Sequence, residues 1–173
     1  LKIYLMKSPY KNQEIENWKI ITEKLIKKHP LSVDQIVDSV LTSWNQIFQS
    51  KIGPLSIGKQ IFPTPQIMSN IIHELIPYNL SEKVGEDYKV GIKKTEKDIV
   101  YKPNSIYSIE VKASSSKNDI YANRSYAQPS LDSDTKDKNG FYIAVNFEKF
   151  KILEDGEYRK VQFDIKGDII YPI

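Results

Sequence analysis

The chain has 173 residues, of which 40% are hydrophobic and 27% charged, with a formal net charge of +3, two histidines and no cysteine. That length fits one domain spanning residues 1–173 with a sizeable core, and the missing cysteines exclude a disulfide framework, a zinc finger and a thiol nucleophile. His29 and His73 alone exclude a histidine-rich metal centre, and the mild basic excess is compatible with DNA binding without arguing for it. No apolar run is long enough to cross a bilayer and no signal peptide is visible, so the expectation is a cytoplasmic protein with no membrane partner. The chain opens on Leu1 rather than Met, as a trimmed chain or a fragment would.

Residues 12 or 13 to 29 read as a helix, with Ile15, Trp18, Ile20 or Ile21, and Leu25 spaced for one face, and Pro30 ends it. Ser32 opens a second helix, and Gln35 three residues later fits a capping box. Val33, Ile36, Val37, Val40, Leu41, Trp44, Ile47 and Phe48 repeat through it at helical spacing, as a core face or a subunit contact would. Residues 51–62 hold two glycines and a proline and read as a connector. Thr64 as N-cap and Pro65 at the first helical position start a third helix, expected to stop at about Leu75, before Pro77. Ile67, Ile71 and Leu75 define its expected apolar face, with Glu74 beside that face and Asn70 and His73 toward the other side, as surface or contact residues. Tyr88, Val90 and Ile92 alternate as a strand.

Two strand-like runs follow, 97–101 and 106–113, around a Pro103-Asn104-Ser105 break. In the second run Tyr107, Ile109, Val111 and Ala113 share one face, and Ser108, Glu110 and Lys112 the other. A three-residue loop at 103–105 sets Lys102 opposite Ile106, Val100 opposite Ser108 and Asp98 opposite Glu110, with opposed Cα atoms roughly 4.5–5.5 Å apart. Two carboxylates that close need a positive charge between them, which Lys112 or a divalent cation could supply. A slip of one residue would undo the pairing by turning Asp98 to the other face. The commonest explanation of such an acid-and-lysine face is that it is solvated.

After the hairpin, residues 114–128 are rich in hydroxyls and amides, with Lys117 and Arg124 and two tyrosines interleaved. Such side chains can serve phosphates and base edges, although a solvated loop has the same composition. Residues 129–139 continue as a polar loop, Asn139-Gly140 signals a turn, and Phe141, Ile143, Val145 and Phe147 alternate as a strand. A turn at Asp155-Gly156 and strands over 158–165 and 168–171 complete an apparent β-meander. Helices first and strands after make an α+β domain.

An acid, then acid-x-lysine on a hairpin, resembles the core of the PD-(D/E)xK nucleases, with Asp98, Glu110 and Lys112 in the motif positions and Lys97 where a proline often stands. A larger set of residues is similar to the ScaI-type type II restriction endonucleases. It comprises Lys59-Gln60-Ile61-Phe62-Pro63-Thr64-Pro65-Gln66-Ile67-Met68, His73-Glu74-Leu75-Ile76-Pro77, the run from Ser108 through Lys112 to Asn118, Ile120 through Gln128, and Gly140 through Phe150. The resemblance covers roughly residues 59–150. It implies a restriction-endonuclease-like core, a mixed β-sheet with the N-terminal helices packed on it. It also implies Mg²⁺-dependent, sequence-specific hydrolysis of double-stranded DNA to 5′-phosphate ends by a homodimer, alongside a companion DNA methyltransferase that protects the host's sites.

Carried over residue by residue, Asp98, Glu110 and Lys112 form the active site. Asp98, Glu110 and the Val111 carbonyl hold the metal, and Glu74 is an additional metal-side carboxylate. Ser114, Ser115, Ser116, Lys117, Asn118, Asn123, Arg124, Tyr126 and Gln128 are the implied DNA contacts. A repair or junction-resolving nuclease of the same fold, and a non-catalytic DNA-binding protein, are the alternatives. The residues from Lys166 to Ile173 depart from the family's pattern.

Overall fold

The computed structural model describes residues 8–116, 118–120, 139–152 and 158–159. Helix α1 spans Ile15–Lys28 and α2 spans Val33–Gln49. The expected capping box at α2 is formed: Gln35 N donates to Ser32 Oγ at 3.2 Å, and Ser32 N donates to Gln35 Oε1 at 2.9 Å. Together these satisfy two backbone donors that a helix start leaves without partners. The α2 stripe is narrower than the sequence indicates. Ile36, Val40, Trp44 and Ile47 are buried with Ser39 and Ser43, while Val33 and Leu41 are exposed. In α1, Ile15, Trp18 and Ile20 are exposed, and Leu25 and Ile26 pack against the core. The expected connector contains a small antiparallel hairpin, β1 (Lys51–Ile52) with β2 (Leu55–Ser56), turned at Gly53.

Helix α3 spans Pro65–Val84 and corrects the sequence reading at Pro77. Thr64 caps it as expected, but the helix runs through the proline for two more turns. Pro77 has no N–H to give the His73 carbonyl, a defect that costs about 3 kcal/mol in a helix interior. Burial offsets the defect: Met68, Ile72, Ile76 and Leu80 form a continuous buried stripe, and Pro77 itself is buried. That stripe lies one residue round the helix from the expected Ile67–Ile71–Leu75 face, of which Ile67 is exposed while Ile71 and Leu75 are half-buried against the core. A polar cluster also locks α3 to α2. Asn79 Nδ2 donates to Ser43 Oγ and to Gln46 Oε1, both at 2.8 Å, and Gln46 Nε2 donates back to Asn79 Oδ1 at 3.2 Å. Buried amides satisfied in this way fix which residues face each other, because any slip would leave them unpaired.

Strands β3 (Tyr88–Val90), β4 (Ile99–Tyr101), β5 (Ile109–Ser114) and β6 (Phe141–Asn146) form one mixed sheet in the order β3-β4-β5-β6. The first three run antiparallel, and β6 lies parallel to β5 over six residue pairs, from Ile109 with Phe141 to Ser114 with Asn146. The strand expected to belong to a meander is therefore part of the main sheet. A parallel pair needs a crossover of a dozen residues or more, and the chain between Ser114 and Phe141 is long enough to supply one. Strands β7 (Lys151–Ile152) and β8 (Tyr158–Arg159) pair antiparallel, on either side of the predicted 155–156 turn. The turn itself and the strands expected beyond it, over 160–165 and 168–171, lie outside the described residues.

Helix α3 packs on β5 and β3, and α2 packs on α3. The core lies between them, with Ile99, Ile109, Val111, Ile143 and Val145 of the sheet against the α2 and α3 stripes. This is the α+β layering that the sequence implies. The β4–β5 connection is held by a buried histidine: His29 Nε2 bonds the Tyr107 carbonyl at 3.0 Å, and Leu31 N donates to Nδ1 at 3.1 Å. The ring is thus fixed as the tautomer with its proton on Nε2. Burial pushes its pKa below the usual imidazole value, against the two backbone hydrogen bonds.

Candidate active site

The hairpin register is the one the sequence predicts, because Ile99 pairs with Ile109. Its loop differs. In place of a three-residue turn, Ser105–Tyr107 form a 3-10 turn with Asn104 as its cap, and β5 starts only at Ile109. Tyr101 N then donates to Ser108 Oγ at 3.1 Å, so a side chain takes over where the backbone ladder stops.

The polar face of β5 is buried. Ser108 is 3% exposed and Glu110 4%. A solvated face, the ordinary explanation for alternating charges, does not describe it. Lys112 Nζ donates to Glu110 Oε1 at 2.8 Å, so the lysine two residues on meets the carboxylate directly. Taking an ionised pair out of water is expensive unless it is well bonded, and an expensive group kept in a fold is a candidate for chemistry.

Asp98 stands just before β4, and its Oδ2 accepts the Val111 N–H at 2.7 Å. That bond continues the strand pairing through a side chain, and it anchors one carboxylate against the backbone that joins Glu110 to Lys112. Beside it, His73 Nε2 lies 3.1 Å from the same Oδ2. The hydrogen bond to Asp98 holds the imidazole pKa above its ordinary value, with burial opposing and the charges of Asp98 and Glu110 assisting.

Helix α3 therefore presents His73 to the site, where the sequence reading expected Glu74. Glu74 is exposed, and among the described residues no hydrogen bond or ion pair joins it to Asp98, Glu110 or Lys112. One residue is about 100° of helix, the amount by which the buried stripe differs from the expected face.

Lys97, which stands where the motif proline often does, is also buried, with Nζ 5.0 Å from the Tyr142 ring centroid. Tyr142 is the β6 neighbour of Glu110, so a second cation lies on the carboxylate side of the sheet. The chain enters Asp98 through a tight turn at 91–97. There Glu96 accepts from Lys89 Nζ at 2.8 Å and from the N–H groups of Ile92 and Lys93 at 3.0 and 3.2 Å. These bonds, the Lys89 one foremost, hold the Glu96 carboxyl down at about 2, against 4.5 for a free glutamate. The stabilisation is complete above about pH 4.5 and is lost as the pH falls through about 2. The unfolding difference between wild type and Glu96→Gln is expected to be constant near neutrality and to shrink on acidification across that window. A difference independent of pH would contradict it.

The expected DNA-contact segment divides. Ser114 is buried, and its Oγ donates to the Asp119 carbonyl at 2.8 Å and accepts from Ser116 N at 3.1 Å. Ser116 Oγ bonds Asp119 Oδ2 at 3.3 Å, and Asn146 Nδ2 bonds the Ser116 carbonyl. These two serines fasten the loop that leaves β5. Ser115 is half-buried and Asn118 exposed, while Lys117, Asn123, Arg124, Tyr126 and Gln128 lie outside the described residues.

The donor set suits a hard divalent cation. It offers two carboxylates and a backbone carbonyl, all oxygen, with no competing soft ligand. Among the described residues no three His, Cys, Asp or Glu side chains gather into a ready-made metal cage. Asp98 and Glu110 with the Val111 carbonyl are the groups that fit.

A sequence model of the ScaI restriction endonuclease family matches residues 8–166. The chain belongs to that family. Among curated proteins, the type II restriction enzyme ScaI of Streptomyces caespitosus is 44% identical over 144 residues, which is 83% of this chain and 63% of that enzyme. The chain thus spans a little under two thirds of the length of this ScaI-family relative. No solved structure matches it. The family match takes in α1 and α2, which the sequence resemblance over roughly 59–150 left out. Among the described residues, no helix is long and apolar enough to cross a membrane.

Proposed function

We propose that the chain acts as a type II restriction endonuclease, hydrolysing phosphodiester bonds of double-stranded DNA at a specific sequence with Mg²⁺. The observation that carries this reading is the Asp98–Glu110–Lys112 cluster, with Glu110 buried and Asp98 and Lys112 half-buried, in a chain of the ScaI restriction endonuclease family. Asp98, Glu110 and the Val111 carbonyl would hold Mg²⁺, with Glu74 left an outer role through water. When bound, the ion acidifies a water and offsets charge on the scissile phosphate.

The chain's own groups do the rest. Val111 N–H fixes Asp98, and Lys112, held at Glu110, orients the attacking water and offsets negative charge developing on the phosphate oxygens. The water oxygen forms a bond to phosphorus as the bond from phosphorus to the 3′ oxygen breaks. The water loses its proton to solvent and the leaving oxygen gains one, giving a 5′-phosphate and a 3′-hydroxyl. Ser115, Asn118 and the segment through Gln128 contact the DNA. A homodimer would cut both strands, because a two-fold pair matches a palindromic site. A companion methyltransferase at the same site would protect the host's DNA in the cytoplasm.

Digestion of methylation-free phage DNA tests this reading. Discrete fragments with Mg²⁺, and none with EDTA, are the expected result. A smear would point to a non-specific or structure-specific nuclease of this fold, and DNA binding without any cleavage would contradict the enzyme reading.

A further inference from the structure

We infer that His73 is a positioning residue, which holds Asp98 in the orientation it needs as a ligand of the divalent cation. The inference rests on the metal-dependent reading of the site above.

The Asp98 side chain is only 9% exposed, and its Oδ2 takes two N–H donors from different parts of the fold. One is the backbone of Val111 at 2.7 Å, and the other is His73 Nε2 at 3.1 Å. Two donors from separate elements, converging on one oxygen, restrict how the carboxylate can turn. A single donor would leave the carboxylate able to swing about it.

The His73 position is itself fixed. One helical turn earlier, on the same face of α3, Ser69 Oγ donates to the Ala113 carbonyl of β5 at 2.7 Å. Helix α3 is thereby tied to the site strand just beyond Lys112, and His73 projects from that clamped face. Its ring is 38% exposed, so it stands at the mouth of the site and not in the core. Partners of this kind, which act on a metal ligand without touching the metal, commonly change metal affinity or activity by about 10–100-fold.

The test is the affinity of the DNA-free protein for Mn²⁺, measured by titration calorimetry on wild type, Asp98→Ala, His73→Ala, His73→Leu and His73→Gln. The leucine variant repeats the loss of the donor with the ring's volume largely kept, in case alanine lowers stability. The alanine and leucine variants are expected to bind Mn²⁺ about 10–100-fold more weakly than wild type. Glutamine, whose amide can donate from about the same place, is expected to return affinity to within a few-fold. Wild-type affinity in both His73→Ala and His73→Leu would overturn the inference. So would a glutamine variant as weak as alanine, because the imidazole would then act as a direct ligand. If wild type binds no Mn²⁺, or Asp98→Ala binds it as wild type does, the metal-dependent reading of the site fails instead.

Discussion

Glu110→Ala is expected to lower Mg²⁺-dependent DNA cleavage by about a thousand-fold or more while leaving DNA binding measurable. The size follows from position. Glu110 is a buried proposed ligand and also the acceptor for Lys112 at 2.8 Å, so its loss removes a metal donor and frees the lysine at once. Each tenfold in rate is about 1.4 kcal/mol, and the ion's stabilisation of transition-state charge is worth several such steps. Alanine also leaves Lys112 nearly buried beside an empty space, which by itself costs stability. Glu110→Gln separates the two effects, since it keeps the shape and one acceptor oxygen but removes the charge. It is expected to fold as wild type and still lose most cleavage. Cleavage near the wild-type rate by a folded Glu110→Gln protein would remove Glu110 from the chemistry.

The second large effect lies away from the charged residues, at Gly91. A Cβ there would sit 1.9 Å from the Lys97 carbonyl oxygen and 3.0 Å from its carbon. Both are backbone atoms, so no side chain can turn aside to make room. Gly91 N also donates to the Asp98 carbonyl at 2.9 Å, across the start of the β3–β4 pair. Gly91→Ala must therefore push the 97–98 backbone outward and carry Asp98 away from Val111 N–H and His73. The expected outcome is a loss of roughly 3 kcal/mol in stability, with cleavage reduced about 100-fold, the order of effect of a 1 Å misplacement. Gly53→Asn is the control. Gly53 has φ 59° and nothing within 4 Å, a conformation asparagine tolerates, so little change is expected. Wild-type behaviour from Gly91→Ala would show that the 91–97 turn does not position Asp98.

The signals that could be read in the sequence were local and chemical. Ser32 with Gln35, and Thr64 with Pro65, mark helix starts through hydrogen bonds that span three residues, and both caps are formed. The Asp98–Glu110 register followed from a three-residue loop at 103–105, and Ile99 pairs with Ile109 in that register although the loop holds a 3-10 turn. Pro77 was the misleading signal. Taken as a stop, it hid Leu80, and without Leu80 the Met68–Ile72–Ile76 stripe is no stronger than Ile67–Ile71–Leu75. The expected face set His73 toward the surface, whereas the structure brings it to Asp98. No local rule reveals that burial of Ile76, Asn79 and Leu80 against α2 outweighs a proline inside a helix; that is a tertiary effect. The parallel pairing of β6 with β5 was hidden for a related reason, since strand alternation gives no direction and the intervening segment reads only as loop. The burial of Lys97, Ser108 and Glu110 was likewise invisible, because alternation distinguishes two faces without saying whether the second is covered.

The most direct measurement is anomalous diffraction from crystals of the protein soaked in Mn²⁺. The account predicts a peak within roughly 2.5 Å of carboxylate oxygens of both Asp98 and Glu110, reached also by the Val111 carbonyl and absent in Asp98→Ala. Manganese bound elsewhere, with no peak within reach of Asp98 and Glu110, would contradict it.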